Sequence, residues 1–294
     1  MCPGTADSDA ILEQTNVPRP VGTPHSPVPV SNNGAVRKLI LSLVLLLALA
    51  VVIDFGAAAY SEYRVSRSLR EGGELNSDPD VTIGGFPFLT QAVNGKYENV
   101  EIRARGVDSQ VLGEVTVEAN LRGVNIPASD LVNGTVKTVP VDQLDGRILI
   151  DATALGQFLG IPDLQVSAPP ADKSDGTGGS GGSGMTTSGG VVLTGTVPIG
   201  PLSAAVSVQA DLLLDGEDVK IVATDLYFGP EGNADFTVPG PFKPAVLGLF
   251  TRTVEAQQLP FGVLPTKVYA EGSQVVIEGS GENVVINLDD LQTP

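Results

Sequence analysis

Val115, Val117, Ala119 and Leu121 alternate with Glu114, Thr116, Glu118, Asn120 and Arg122. Successive side chains of a strand point to opposite faces, so this spacing demands one dry face and one wet face. The same period returns at Val100, Ile102 and Ala104, and again from Ala204 through Val206, Val208, Ala210 and Leu212 to Leu214. It recurs at Val219, Ile221 and Ala223, at Val275 and Ile277, and at Val284, Ile286 and Leu288. Half-wet strands in succession build antiparallel sheets. Turn signals sit among them at Asn94-Gly95, Asp145-Gly146, Asp215-Gly216 and Glu271-Gly272. With 35 glycines and 22 prolines the composition suits strands and turns better than a helix bundle. The expected fold class is α+β, mostly β.

Two short amphipathic helices interrupt this pattern. Asp151 is placed to cap "ATALGQFLG", in which Ala154, Leu155, Phe158 and Leu159 share a face and Gly160 with Pro162 ends the helix. From Phe242 to Ala256, Val246, Leu249, Phe250 and Val254 fall on one face. Between the two helices, residues 169–190 are rich in Gly and Ser and read as a flexible insertion. It divides the β region into two arms, roughly 77–168 and 191–294.

The N-terminal quarter is different. Residues 1–36 are proline-rich and lack periodicity, as in a disordered tail. Arg37-Lys38 then precede the apolar run Leu39–Ile53, which Asp54 interrupts before "FGAAAY" carries it to Tyr60. Counted through Tyr60 the run is long enough to cross a bilayer. A retained transmembrane anchor over 37–60, with the tail inside and the domain outside the cytoplasm, is the favoured reading. The alternative is a signal peptide cleaved after Ala57-Ala58-Ala59. Lys and Arg do not orient the segment, since Arg64, Arg67 and Arg70 follow it. Residues 61–76 read as a short polar helical connector to a β-rich domain over 77–294.

Several function classes are excluded or disfavoured. A formal net charge of −17 opposes binding to nucleic acid. The single histidine, His25, and the single cysteine, Cys2, both precede the apolar run, leaving no histidine base and no disulfide in the domain. Zinc-ligand spacing, an EF-hand loop and a phosphate-binding P-loop are all missing from the sequence. A carboxylate-only hydrolase stays open as a weak rival, although no Trp offers a sugar platform. The chain is therefore expected to be non-enzymatic, with no cofactor and no metal.

The segment "VTIGGFPFLTQAVNGKYENVEI" carries Ile83, Gly85-Phe86-Pro87-Phe88-Leu89, Gly95 and Tyr97 ahead of an alternating strand. It resembles the LmeA-like family of actinobacterial cell-envelope proteins, which bind phospholipid. Leu259–Gly279 is similar to the family's C-terminal part, and the likeness covers roughly residues 60–290. The Gly/Ser insertion and the proline-rich tail depart from it. The resemblance implies an elongated, curved antiparallel sheet wrapped on amphipathic helices, like the tubular lipid-binding domains, with an apolar groove. It also implies an envelope role in lipid or lipoglycan metabolism.

Phe86, Phe88 and Leu89, with Pro87 between the rings, are the candidate apolar rim. Phe158, Phe242, Leu249, Phe250, Phe261 and Leu264 are further candidates for a lipid groove. Burying about ten methylenes of an acyl chain would contribute roughly 8 kcal/mol before association costs, enough without a charged headgroup site. The expected function is a membrane-anchored, extracytoplasmic phospholipid-binding carrier or accessory protein. The competing reading is a structural or adhesion-type envelope β protein with no lipid ligand.

Overall fold

The computed structural model describes residues 33–73, 75–109, 111–127, 130, 137–168, 189–199, 202–228, 242–254 and 262–287. The chain divides into two units, Met1–Ala48 and Leu49–Pro294. The described part of the first is the opening of helix α1, whose side chains from Gly34 to Ala48 are exposed. A helix that is apolar on every face and unburied lacks a protein core to hide in. Helix α1 spans Asn33–Gly72 without a break, so residues 61–72 of the connector expected over 61–76 are the C-terminal part of the same helix.

The second unit is mostly antiparallel β, as the alternation requires. One sheet has the order β1-β2-β3-β4-β11-β10 and the other β5-β6-β7-β8-β9, and neither closes into a barrel. The strands of the first are β1 (Asp80–Gly84), β2 (Lys96–Ser109), β3 (Gly113–Asn125), β4 (Thr138–Asp151), β10 (Pro265–Glu271) and β11 (Gln274–Asn287). Those of the second are β5 (Gln165–Ser167), β6 (Gly189–Ile199), β7 (Leu202–Asp215), β8 (Asp218–Phe228) and β9 (Arg252–Val254). Three short helices complete the described fold: α2 (Phe88–Asn94), α3 (Ala152–Leu159) and α4 (Lys243–Phe250). Their inward residues and both sheets feed one continuous apolar core, centred on side chains such as Leu144, Leu193, Leu212 and Phe250.

The outward face of the first sheet is a charge ladder. Across six strands, Asp80, Arg103, Glu118, Arg147, Glu278 and Lys267 stand in register with strictly alternating sign. Arg103 and Arg147 both reach Glu118, at 3.1 and 3.4 Å. Opposite charges on facing strands support pairing and register. The second sheet's outward face is largely neutral, with the Thr194 and Ser207 hydroxyls 2.9 Å apart.

Three sequence expectations change. Asn94-Gly95 ends α2 rather than making a hairpin turn. Asp145-Gly146 lies inside β4, paired to Asn120 and Ala119 on one side and to Ser280 and Gly279 on the other; the charge on Asp145 belongs to the wet face. The expected long helix over 242–256 stops at Phe250. Thr251 is extended, and the β-branched run Thr251, Thr253, Val254 continues as β9 against β8. The two arms share the first sheet. The hairpin β10–β11 returns from the second arm to pair β11 with β4. Asp215-Gly216 and Glu271-Gly272 are turns as expected. Of the insertion over 169–190, only Gly189 and Gly190 lie within the described residues, and both already belong to β6.

One irregularity shapes the end of the first sheet. The inward-facing parity steps by one residue at the same level in four strands: Tyr97 to Val100, Leu121 to Val124, Val141 to Leu144, and Gly281 to Val284. Gly123 (φ 64°) and Asn283 (φ 53°) mark the step. The pairing register runs unbroken through this level, so the paired strands turn together and no residue is inserted.

Candidate functional site

The segment that carries the family-like pattern folds at the end of the first sheet beyond this step. Gly85 has φ 96°, and a Cβ there would lie 2.6 Å from the Gln91 amide nitrogen, so only glycine serves. The Phe86–Pro87 peptide is cis, and the chain then enters α2. Gln91 staples the segment from inside. Its Nε2 donates to the Gly84 carbonyl at 3.1 Å, and its Oε1 accepts the Glu98 N–H at 2.9 Å. Gly95, at φ 67°, closes the helix in the left-handed region, with its N–H donating to the Ala92 carbonyl.

The start of α2 has no capping side chain of its own, because Pro87 occupies that place. The acceptor comes from α1. Asp54 is 5% exposed; its Oδ2 accepts the Phe88 N–H at 2.9 Å and its Oδ1 the Leu89 N–H at 2.8 Å. A buried carboxylate needs such donors, and the first turn of a helix needs an acceptor. The acid that interrupts the apolar run is thereby explained. The C-terminal part of α1 then lies along β1. Glu62 Oε1 accepts the Ile83 N–H at 2.8 Å, the Ser66 hydroxyl donates to the Pro79 carbonyl at 2.6 Å, and Arg70 pairs with Asp78 at 3.1 Å. These contacts cover an edge strand that would otherwise be open to pairing.

The expected rim residues part company. Phe88 turns inward, 5% exposed, with its ring 6.2 Å from that of Tyr97, whose hydroxyl pKa is pushed up by burial. Phe86 turns outward, 62% exposed, and its ring stacks 6.0 Å from Phe55 of α1. Leu89 is exposed on α2, and so is Val93 one turn on, at 81%. Phe55, Phe86, Leu89 and Val93 thus place apolar side chains in solvent around α2, beside the exposed Val52 and Ile53 of α1. On another side of α2, Thr90, Gln91, Asn94, Lys96 and Glu98 line an open depression.

The other candidates lie elsewhere. Phe250 is fully buried at the end of α4, where Leu249 is half-buried and Phe242, at the start, is exposed. Phe158 is half-buried on α3 against the core. Leu264 is exposed ahead of β10, and Phe261 lies outside the described residues. Asp54, Phe55, Gln91 and Val93 escaped the sequence reading. The Leu89–Val93 spacing of four could have flagged Val93. Nothing local could have paired Asp54 with residues 34 positions away.

Among the described residues, no group of three or more His, Cys, Asp or Glu is placed to hold a metal ion. No curated protein and no solved structure matches the chain. The model of the LmeA-like phospholipid-binding family matches residues 52–280, a stretch that takes in Asp54, α2, the second sheet and the first sheet up to the first half of β11. The chain belongs to the LmeA-like phospholipid-binding family.

Proposed function

We propose that this protein is a phospholipid carrier, or an accessory in envelope lipid and lipoglycan metabolism, held at the membrane by an uncleaved α1 with its folded domain outside the cytoplasm. Family membership supports the lipid ligand and a non-enzymatic role. The observation that carries the anchor is Asp54. Cleavage after Ala59 would remove the acceptor of two α2 N–H groups, together with Ala57 and Ala58, which pack against the core. A signal peptide is discarded after export and has no reason to cap a helix of the mature domain. The exposed apolar residues Phe86, Leu89, Phe242 and Leu264 are the rim candidates in this reading, with half-buried Phe158 and Leu249 behind them. Buried Phe88 and Phe250 would reach a ligand only through opening of the core.

The test uses the full chain isolated from membranes in mild detergent. N-terminal sequencing is expected to return residues ahead of Leu39, and native mass spectrometry to return bound phospholipid. A mature N-terminus at Tyr60 would refute the anchor. An apo mass, with no exchange against vesicles of labelled phospholipid, would refute the carrier and favour a structural envelope protein.

A further inference from the structure

The geometry points to a second membrane contact: we infer that α2, with Phe86, rests in the outer interfacial layer of the same bilayer that holds α1. The inference depends on the retained-anchor reading above. The length of the apolar run is the first argument. Leu39–Ile53 has fifteen residues, about 22 Å of helix against a hydrocarbon core of about 30 Å. A span beginning at Leu39 reaches the far interface only at about Ala58, past Asp54 and Phe55. The carboxylate then lies at the level of the outer leaflet, where an unpaired acid is costly. The two N–H groups of α2 satisfy it there. The same two bonds fix α2 at Asp54's depth.

The faces of α2 agree with that depth. Leu89 and Val93 are exposed, and Phe86 continues their apolar surface to Phe55 and on to the exposed Val52 and Ile53. An apolar surface continuous with a membrane span is covered by lipid rather than by water. Thr90, Asn94, Lys96 and Glu98 on another side suit the headgroup layer. Inward, Phe88 and Gln91 lock the helix to the sheet, so the surface is presented by a rigid element. The domain is held with α2 against phospholipid instead of swinging free on its anchor.

The test uses the full chain with Cys2→Ser, reconstituted in vesicles of equal parts phosphatidylcholine and phosphatidylglycerol. Single cysteines carry an environment-sensitive fluorophore at Leu45→Cys in α1, Val93→Cys in α2, or Glu217→Cys in the β7–β8 turn. Spin-labelled lipids quench either deep in the acyl region or just below the headgroups. The expected result is deep quenching at position 45, shallow quenching with blue-shifted emission at position 93, and neither at position 217. Deep quenching at 45 with a position 93 as water-exposed as 217 would overturn the α2 contact and leave the anchor standing. Absence of quenching at 45 would overturn the anchor and the contact with it.

Discussion

Helices α2 and α3 are built to one plan and put to different uses. Each is a short helix with an aspartate carboxylate at its start and a left-handed glycine at its end, Gly95 for α2 and Gly160 for α3. In α3 the acceptor is the neighbouring residue: Asp151 Oδ1 takes the Ala154 N–H at 2.7 Å. In α2 it is Asp54, brought from α1. Helix α3 turns its apolar side chains into the core, burying Ala154, Leu155 and Leu159. Helix α2 buries only Phe88 and Gln91 and leaves Leu89 and Val93 outside. A helix that keeps its apolar face in the core is a structural piece. One that is bolted down by a distant carboxylate and a buried amide, with its apolar face outward, has been given a surface to meet.

The largest effect should separate the inside of α2 from its outside. Phe88→Ala empties a core site and should cost about 3–5 kcal/mol, as Leu155→Ala in α3 should cost about 2–5 kcal/mol. Phe86→Ala, two residues from Phe88, should cost under about 1 kcal/mol, since an exposed side chain leaves no cavity. Urea unfolding of the full chain in detergent reads all three. Equal costs at Phe86 and Phe88 would erase the distinction between a locked inner face and a free outer one.

The two caps should differ next. Asp54→Ala leaves two N–H groups without an acceptor, one of them buried, for about 2–3 kcal/mol. Asp151→Ala exposes its donor to water and should cost about 1 kcal/mol. Asp54→Asn keeps one acceptor oxygen and should recover part of the loss. If Asp54→Ala costs no more than Asp151→Ala in the same unfolding measurement, α1 does not hold α2 in solution.

This contrast also marks what was legible in the sequence. The cap of α3 could be read because Asp151, the apolar face and Gly160-x-Pro162 are neighbours in the chain. Strands β2, β3, β7 and β8 could be read because alternation is local. Strand β11 looked like two strands, since the step at Asn283 shifts its inward parity between Ile277 and Val284 while its register with β4 stays unbroken. Its pairing with β4, like the bond from Asp54 to α2, joins residues that no local pattern links. At the candidate site, apolar residues beside glycines marked a special place. Which ring faced in was decided by the backbone path through Gly85 and Pro87, which composition cannot specify.

The smallest expected effect concerns a third aspartate, at the other end of α3. Asp163, in the turn after the helix, accepts the Thr196 N–H of β6 at 3.0 and 3.2 Å, tying together two segments on either side of the Gly/Ser insertion. The hydrogen bond from the Thr196 side chain, then the one from its backbone, lowers the Asp163 pKa below the ordinary carboxylate range. A carboxylate whose pKa is lower folded than unfolded stabilises the fold above its unfolded value, about 3.9, and loses that contribution as pH falls through the folded value. Because Asp163 is exposed to solvent, the contribution should not exceed about 0.5 kcal/mol. Asp163→Ala should therefore be slightly less stable than the parent at neutral pH, with the gap narrowing towards pH 3 as the parent's carboxylate is protonated. Asp151→Ala supplies the reference for an aspartate that caps a helix within one turn of chain. A gap for Asp163→Ala that stays constant from neutral to acid pH would show that the carboxylate's charge contributes nothing to this tie.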